Sequence, residues 1–260
     1  MEMRENSMSN ILLKLIGYKS IILHDDSAAY DRLKWLKSRL LSGDKRTLDA
    51  GCGTGGFSLF AAKKGNDVVG ISFDENANNL AKESAQILKI SNVHFRSFDL
   101  RKLDQLSSEL GKFDQIICLE TIEHILNDKK LIKDLSSLLK PGGRLFLTTP
   151  YKNYKHLIGD GLSKVEDGGH VRWGYTHEDM RDLFREEGLR VISGEYISGF
   201  LSQQLTNLLR ILGKVNKRFA WYATFPLRLL LPLDRLVTKL LKYPNLSIGV
   251  IGEKVSHNIK

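Results

Sequence analysis

Two stretches of this sequence hold residues whose types and spacing can do chemistry. The first is Thr47-Leu48-Asp49-Ala50-Gly51-Cys52-Gly53-Thr54-Gly55-Gly56, a run of glycines behind an acid. Glycine reaches positive φ cheaply and lets a ligand touch the backbone. Amide groups at the start of a helix opening near Phe57 would face the same ligand, which favours an anionic or carboxylate-bearing group. The second stretch is Glu120-Thr121-Ile122-Glu123-His124, with His170 further along. Glu123, His124 and His170 are candidate proton acceptors near the expected ends of strands.

The elements that must position these groups alternate between strand and helix. Thr47 to Ala50 reads as a short buried strand, and Asp67 to Ile71 as a second. Asp74 suits the N-cap of a helix over Glu75 to Leu88. Asn92 to Phe98 is a third strand, and Phe113 to Leu119 a fourth. The continuous apolar run of the fourth fits a central parallel strand covered on both faces. A helix over Asp128 to Leu139, a turn at Lys140-Pro141-Gly142-Gly143 and a fifth strand over Arg144 to Pro150 follow. Thr176 to Glu187 is a helix with a capping-box-like start at Thr176 and Asp179. Leu189 to Ser198 and Leu246 to Val255 are the last two strands, and a helix over Ser27 to Leu41 precedes the first. The class is α/β.

Gly51, Gly53 and Gly56 also satisfy the G-x-G-x-x-G of dinucleotide-binding folds, a weak match by itself. An NAD-dependent oxidoreductase is disfavoured by two residues. Asp49 stands where that fold has an apolar residue, and the acid expected about 20 residues on falls near Ser72. Asp49-x-Gly51-x-Gly53-x-Gly55 instead resembles the first motif of class I S-adenosylmethionine (SAM) methyltransferases, as does Leu138-Leu139-Lys140-Pro141-Gly142-Gly143-Arg144-Leu145-Phe146-Leu147-Thr148-Thr149-Pro150. The resemblance covers about residues 27–198 and 246–255.

The resemblance implies a seven-stranded, mostly parallel Rossmann-like sheet with helices on both faces and an antiparallel last strand. It implies that Gly51, Cys52, Gly53 and Gly55 pass under the methionine part of SAM, with Asp49 orienting the amino end. Ser72 stands where the family holds the ribose with an acid, so Ser72, Phe73, Asp74 or backbone groups would serve there. Asp99, followed by Leu100, matches the acceptor for the adenine amino group, and Glu120 ends the fourth strand beside the cofactor. Tyr30, Asp31 and Arg32 could reach the cofactor carboxylate. Glu120, Glu123, His124 and His170 together resemble a divalent-metal set seen in ubiquinone-type O-methyltransferases and in small-RNA 2′-O-methyltransferases. Such a set would hold Mg²⁺, Mn²⁺ or Zn²⁺ and lower the pKa of a bound acceptor hydroxyl.

The chain has 260 residues, an apolar fraction of 42% and a formal charge of +9. Two cysteines, Cys52 and Cys118, make a disulfide framework unlikely and fit a reducing cytosol. No signal peptide is legible, and no run of 18 uncharged apolar residues exists to span a bilayer. Residues 1–26 hold an apolar stretch with two lysines, a lid, a membrane-surface helix or a packed helix. The polar, Gly-rich stretch from Tyr151 to Gly174 reads as a substrate loop.

Residues 199–245 stand apart as an insertion before the last strand. They hold two leucine-rich helical runs, four intervening aromatics, eight basic residues and one acid, Asp234. That pattern fits an anionic membrane surface, a cap over the substrate or, less well, nucleic acid. The acceptor expected is a small or lipid-like molecule bearing a hydroxyl. N- or C-methylation of a soluble metabolite and a non-catalytic peripheral membrane protein are the alternatives.

Overall fold

In a computed structural model, residues 10–24 and 28–255 are described. The expected helix start at Ser27, and the parts of segments 1–26 and 246–260 beyond those bounds, lie outside the described residues. The chain is helical over 10–16 (α1) and Lys19–His24 (α2). Helix α3, Ala28–Lys37, ends four residues earlier than its apolar spacing predicts.

Seven strands form one sheet in the order β3-β2-β1-β4-β5-β7-β6. They are β1 Arg46–Ala50, β2 Asp67–Ser72, β3 Val93–Ser97, β4 Phe113–Leu119, β5 Leu139–Pro150, β6 Leu189–Ile197 and β7 Ser247–Lys254. The first five pair in parallel, and β7 runs antiparallel to both β5 and β6. Helices α4 Gly56–Lys63, α5 Glu75–Ile87, α6 Ser107–Leu110, α7 Asp128–Leu138 and α8 His177–Glu186 connect the strands. Successive strand residues point to opposite faces. Ile116, Leu145 and Val250 therefore enter one apolar layer and Ile117, Phe146 and Ile251 the other, all buried. Sheet and helices thus bury both faces of β4, as its apolar run requires.

One local expectation is corrected. Lys140-Pro141-Gly142-Gly143 is not a turn ahead of the fifth strand but an irregularity within β5. Pairing jumps from Phe113↔Leu139 to Gln115↔Arg144, and Gly142 takes φ +73°. Extra residues on one strand of a pair force such a bulge, and glycine takes the left-handed position without strain.

Between β6 and β7 stand α9 Phe200–Gly213, α10 Lys217–Thr224, a 3₁₀ stretch over Phe225–Leu233 and α11 Asp234–Leu240. Their anchor is Asp234, which is buried. Its carboxylate accepts from the amides of Gly199 and Leu201 at 2.7 Å each and from Thr238 Oγ1 at 3.1 Å. The insertion's one acid therefore caps the start of α9. Gly199 is required here, because a Cβ on it would lie 2.0 Å from Thr238 Oγ1. Asp31 of α3 joins the anchor through Ser198 and Ser202, both at 2.8 Å. Ser202 Oγ also lies 2.7 Å from Asp234, and one hydroxyl proton cannot serve two carboxylates. Burial pushes the Asp31 carboxyl up from its ordinary value.

Removing this cap should loosen the insertion. We expect Asp234→Ala to lose about 2 kcal/mol in urea denaturation and to make 200–245 more sensitive to limited proteolysis. An unchanged midpoint would show that the carboxylate does not hold α9.

Candidate functional site

The site lies where the strand order reverses, between the carboxyl ends of β1 and β4. Open α/β sheets bind ligands in the crevice at such a switch point. The glycine loop leaves β1 there, with Gly51 at φ +88°, Gly53 at +50° and Gly55 at +82°. Each glycine has its own reason. A Cβ on Gly51 would fall 2.3 Å from Thr121 Oγ1, in the loop after β4, and one on Gly55 would strike Phe95 and Ala81 at 2.8 Å. A Cβ on Gly53 would meet nothing within 4 Å, so there the loop offers bare backbone to open space. Gly55 caps α4 without a side-chain hydrogen bond, and the Ser58 amide serves Asp49, so Gly56 and Phe57 are the amides open to a ligand.

Beneath the loop, Asp49 is buried and accepts from Ser58 Oγ at 2.6 Å. Burial pushes its carboxyl up to about 6, against the pull of the Ser58 hydrogen bond. Cys52 is buried as well, 3.8 Å from the Asn78 amide oxygen, and burial pushes its thiol up, so it is not a nucleophile. Cys118 is buried and free in β4.

Along the crevice, β2 ends at Ser72, which is buried and accepts from the Asp74 amide at 3.3 Å. Asp74 accepts from the amides of Asn76 and Ala77 at 2.9 and 3.1 Å, so its carboxylate is used as the N-cap of α5. Phe73 beside it is 76% exposed, a bare ring at the crevice edge. Asp99 is gripped by Arg101 through Nε and Nη2, at 2.8 to 2.9 Å and 2.6 Å. This pairing holds its carboxyl below the usual range, so it remains an ionised acceptor. Leu100 is buried in the core behind it.

The strand ends on this side are tied by Asn78, which the sequence reading missed. It is fully buried, and its Nδ2 donates to Ser72 O at 2.9 Å, Arg96 O at 3.2 Å and Ser97 Oγ at 3.0 Å. The signal was present: Asn78 lies four residues after Asp74, three before Ala81 and seven before Ala85 on the inward stripe of α5.

The second chemical stretch follows β4. Glu120 has φ +48°, an uncommon conformation for a residue with a Cβ. Its amide donates to Thr148 O at 2.9 Å, and its carboxylate lies 3.9 Å from Arg32 Nη1. Of the three residues opening α3, Arg32 thus faces the crevice. Asp31 turns instead to the insertion, and Tyr30 is exposed.

Glu123 is fully buried. Its Oε2 accepts from Thr149 Oγ1 at 3.3 Å, and its Oε1 has no protein partner. Burial, and then the charge of Glu120, push its carboxyl well above the usual range. His124 Nδ1 lies 3.1 Å from Gly169 O. A carbonyl can only accept, so Nδ1 carries the proton, and in the neutral imidazole the lone pair is then on Nε2. His170 packs edge-on to it, ring centroids 4.8 Å apart. Burial, and then His124, push the His170 imidazole down, so it is neutral at pH 7.

The segment from Tyr151 to Gly174 folds back over this turn. Val171 N donates to Glu123 O at 2.9 Å. Arg172 Nη2 donates to Ile125 O and Leu126 O at 2.8 Å each, and its Nη1 pairs with Asp128. Between segment, turn and α9 lies a cavity of about 860 Å³. Glu120, Glu123, His124 and His170 line one side of it. Leu157, Ile158 and Leu209 supply apolar wall, and Tyr154, Asp160 and Arg210 a polar rim. Asp160 joins that rim by accepting from Tyr154 Oη at 2.6 Å and pairing with Arg210 at 2.5 Å. This contact between the loop and α9 could not be read from spacing alone, since 50 residues separate its ends.

Glu123, His124 and His170 each offer a ligand atom, all within 4.8 Å of one another. Glu120, expected with them, is outside that group and faces Arg32. One carboxylate and two imidazoles fit Zn²⁺ or Mn²⁺ better than Mg²⁺, which takes oxygen ligands. The Gly169 carbonyl behind His124 is the kind of support that orients a ligating imidazole.

Comparison with known proteins agrees with this geometry. A family model described as a methyltransferase domain matches residues 25–194. A ubiquinone biosynthesis O-methyltransferase from Coxiella burnetii is 34% identical over 124 residues, 48% of this chain and 51% of that protein. One from Acinetobacter baylyi is 34% identical over 129 residues, 49% and 53% of the two chains. The chain spans about half the length of the curated relatives it matches. Among solved structures, a 4+2 cyclase superposes with a TM-score of 0.62 at 22% identity, covering 87% of this chain and 81% of that one. A magnesium protoporphyrin IX methyltransferase from Synechocystis with bound SAM gives 0.53 at 19%, covering 86% and 77%. At such identities the likeness shows the fold, and a cyclase on the same fold shows that the reaction must be argued from the site.

The raised Asp49 makes stability pH-dependent. An unfolded Asp ionises near about 3.9. Between that value and about 6 the unfolded chain releases a proton that the fold retains. The contribution of Asp49 is therefore full below about pH 4 and lost as pH rises through about 6. Asp49→Asn should match the wild type in urea denaturation near pH 4 and exceed it at pH 7 by on the order of 2 kcal/mol. A difference that does not change with pH would contradict a carboxyl whose ionisation is disfavoured by burial.

Proposed function

The chain belongs to the methyltransferase-domain family and is a class I SAM-dependent methyltransferase; from that premise we propose that it methylates a hydroxyl on a hydrophobic, membrane-associated small molecule. The observation that carries the oxygen acceptor is the His124 imidazole, whose Nδ1 is held by the Gly169 carbonyl while its Nε2 lone pair is left for the cavity. The curated relatives named as O-methyltransferases support the same choice of atom.

SAM supplies an activated sulfonium methyl, so the protein's share is placement and, for an oxygen acceptor, removal of a proton. In this reading the bare backbone of Gly53 and the uncapped start of α4 receive the methionine part of SAM. Asp49 orients the loop from below through Ser58. Ser72 and Phe73 serve the ribose, and Asp99, ionised by its pairing with Arg101, accepts from the adenine amino group. Residues 28–198 and 246–255 form this core, and 199–245 closes over the acceptor.

The acceptor hydroxyl gives its proton to His124 Nε2. Burial, which pushes the Glu123 carboxyl up, disfavours a negative charge beside an oxygen that must lose a proton. Leu157, Ile158 and Leu209 give the acceptor an apolar wall, which suits a hydrophobic body better than a free sugar or amino acid.

A second reading is favoured by one observation, the grouping of Glu123, His124 and His170. A divalent ion held by these three would acidify the acceptor hydroxyl directly and make a free base unnecessary. Chelation separates the two.

We expect His124→Asn to lower kcat by about 10²–10⁴-fold while leaving the calorimetric affinity for SAM within about twofold. Activity that persists in EDTA and falls in the variant identifies His124 as the base. Activity lost in EDTA and restored by Zn²⁺ or Mn²⁺, with Glu123→Gln equally inactive, identifies a metal. Full activity of His124→Asn would refute both.

A further inference from the structure

We propose that α1, α10 and the segment from Phe225 to Lys242 form a docking surface for a bilayer containing anionic lipid, which delivers the acceptor to the cavity without passage through water. The proposal deepens the reading of a membrane-associated acceptor and rests on it for what is delivered. The surface itself is argued from exposure and charge.

This region leaves large apolar side chains in solvent. Leu15 is 73% exposed, Phe219 57%, Leu229 79%, Leu233 52%, Leu236 58% and Leu240 73%. Leu233, Leu236 and Leu240 recur at helical spacing, so they share a stripe along α11. Single exposed leucines are ordinary, but a stripe of them joined to neighbouring exposed aromatics is not. Arg235 and Lys239 lie one residue before Leu236 and Leu240 respectively and are exposed, and Lys242, just past the end of α11, is exposed too.

The placement of Asp234 sharpens the charge. It is the single acid between residues 199 and 245, and it is buried in the cap of α9. The solvent face of the insertion therefore has basic residues and no carboxylate. Apolar stripes edged by cations are what an interfacial membrane surface takes.

The patch extends beyond the insertion. Trp221 Nε1 and Arg228 Nη1 donate to Leu23 O, at 3.3 and 2.8 Å, and so fasten the end of α2 to α10 and the 3₁₀ stretch. This brings the end of α2 against the insertion, and Leu15 and Lys14 of the preceding α1 are exposed. On its inner side the same insertion walls the cavity through Thr206, Leu209 and Gly213 of α9. One structural unit thus meets solvent with its leucines and the acceptor cavity with α9.

Two other occupants fit less well. A second copy of the chain would set one acid-free cationic face against another, which repels. Phosphate tracking along nucleic acid has no use for exposed leucines. No helix among the described residues is long and apolar enough to cross a membrane, so the contact is interfacial.

The test uses the full chain and sedimentation with vesicles of phosphatidylcholine, with or without about one third phosphatidylglycerol. The partition coefficient should be at least about tenfold higher on the anionic vesicles and fall with added salt. Leu236→Glu with Leu240→Glu, and separately Arg235→Glu with Lys239→Glu, should each remove at least about 90% of that binding. Lys82→Glu, on the exposed side of α5, should leave it unchanged. SAM affinity, measured on every variant, should not move. Equal binding to both vesicle types, or equal loss in Lys82→Glu, overturns the proposal. So does a dimer in light scattering that Leu236→Glu dissociates while vesicles are ignored. Loss of SAM binding in the wild type would instead count against the methyltransferase reading and leave the vesicle result standing.

Discussion

The arrangement depends on the close approach of two loops at the sheet's switch point. Gly51 has no Cβ, and Thr121 Oγ1 occupies the place where one would be. That contact joins the loop after β1 to the loop after β4, so the cofactor's cradle and the titratable groups are held at a fixed separation. A parallel sheet makes this necessary. Where the strand order reverses, the connections after the neighbouring strands β1 and β4 part and leave a crevice between them. Left-handed φ at Gly51, and the uncommon positive φ of Glu120, are the local costs of that bridge. From Glu120 the chain passes through a short 3₁₀ turn that buries Glu123 and turns His124 toward the cavity. The segment returning through Gly169 fixes the imidazole's tautomer from the other side.

Much of this was legible in the sequence because it follows from local rules. The glycine loop, the continuous apolar run of β4, the capping box at Thr176 and the cap at Asp74 are each set by neighbouring residues, and the structure has all four. The seven-stranded sheet with its antiparallel last strand came from a family resemblance rather than from periodicity. What spacing could not reach were contacts made across the fold. Asp31 sits beside Arg32 on α3, yet one joins the insertion and the other the crevice, because adjacent helical residues lie about 100° apart. Asp160 and Arg210 meet across the cavity mouth, and Asn78 ties β2 to β3. Of the four residues that resemble a metal set, Glu120 lies outside the group of the other three and faces Arg32.

The charge of the chain acquires a meaning only in three dimensions. A net +9 by itself says that an anionic partner is favoured. The burial of Asp234 converts a basic composition into a basic surface, since the one compensating carboxylate of the insertion is spent on amides. The same residue therefore holds the insertion to the core and clears its face of negative charge.

The central claim is that a methyl group passes from SAM to a hydroxyl of a lipophilic acceptor. The most direct measurement gives the wild-type protein SAM carrying a labelled methyl group together with a membrane lipid extract or an aqueous metabolite extract. We expect label to enter the organic phase only with the lipid extract, as an ether that survives alkaline hydrolysis. Label confined to water-soluble amines, or no transfer to either extract by protein shown to bind SAM, would contradict it.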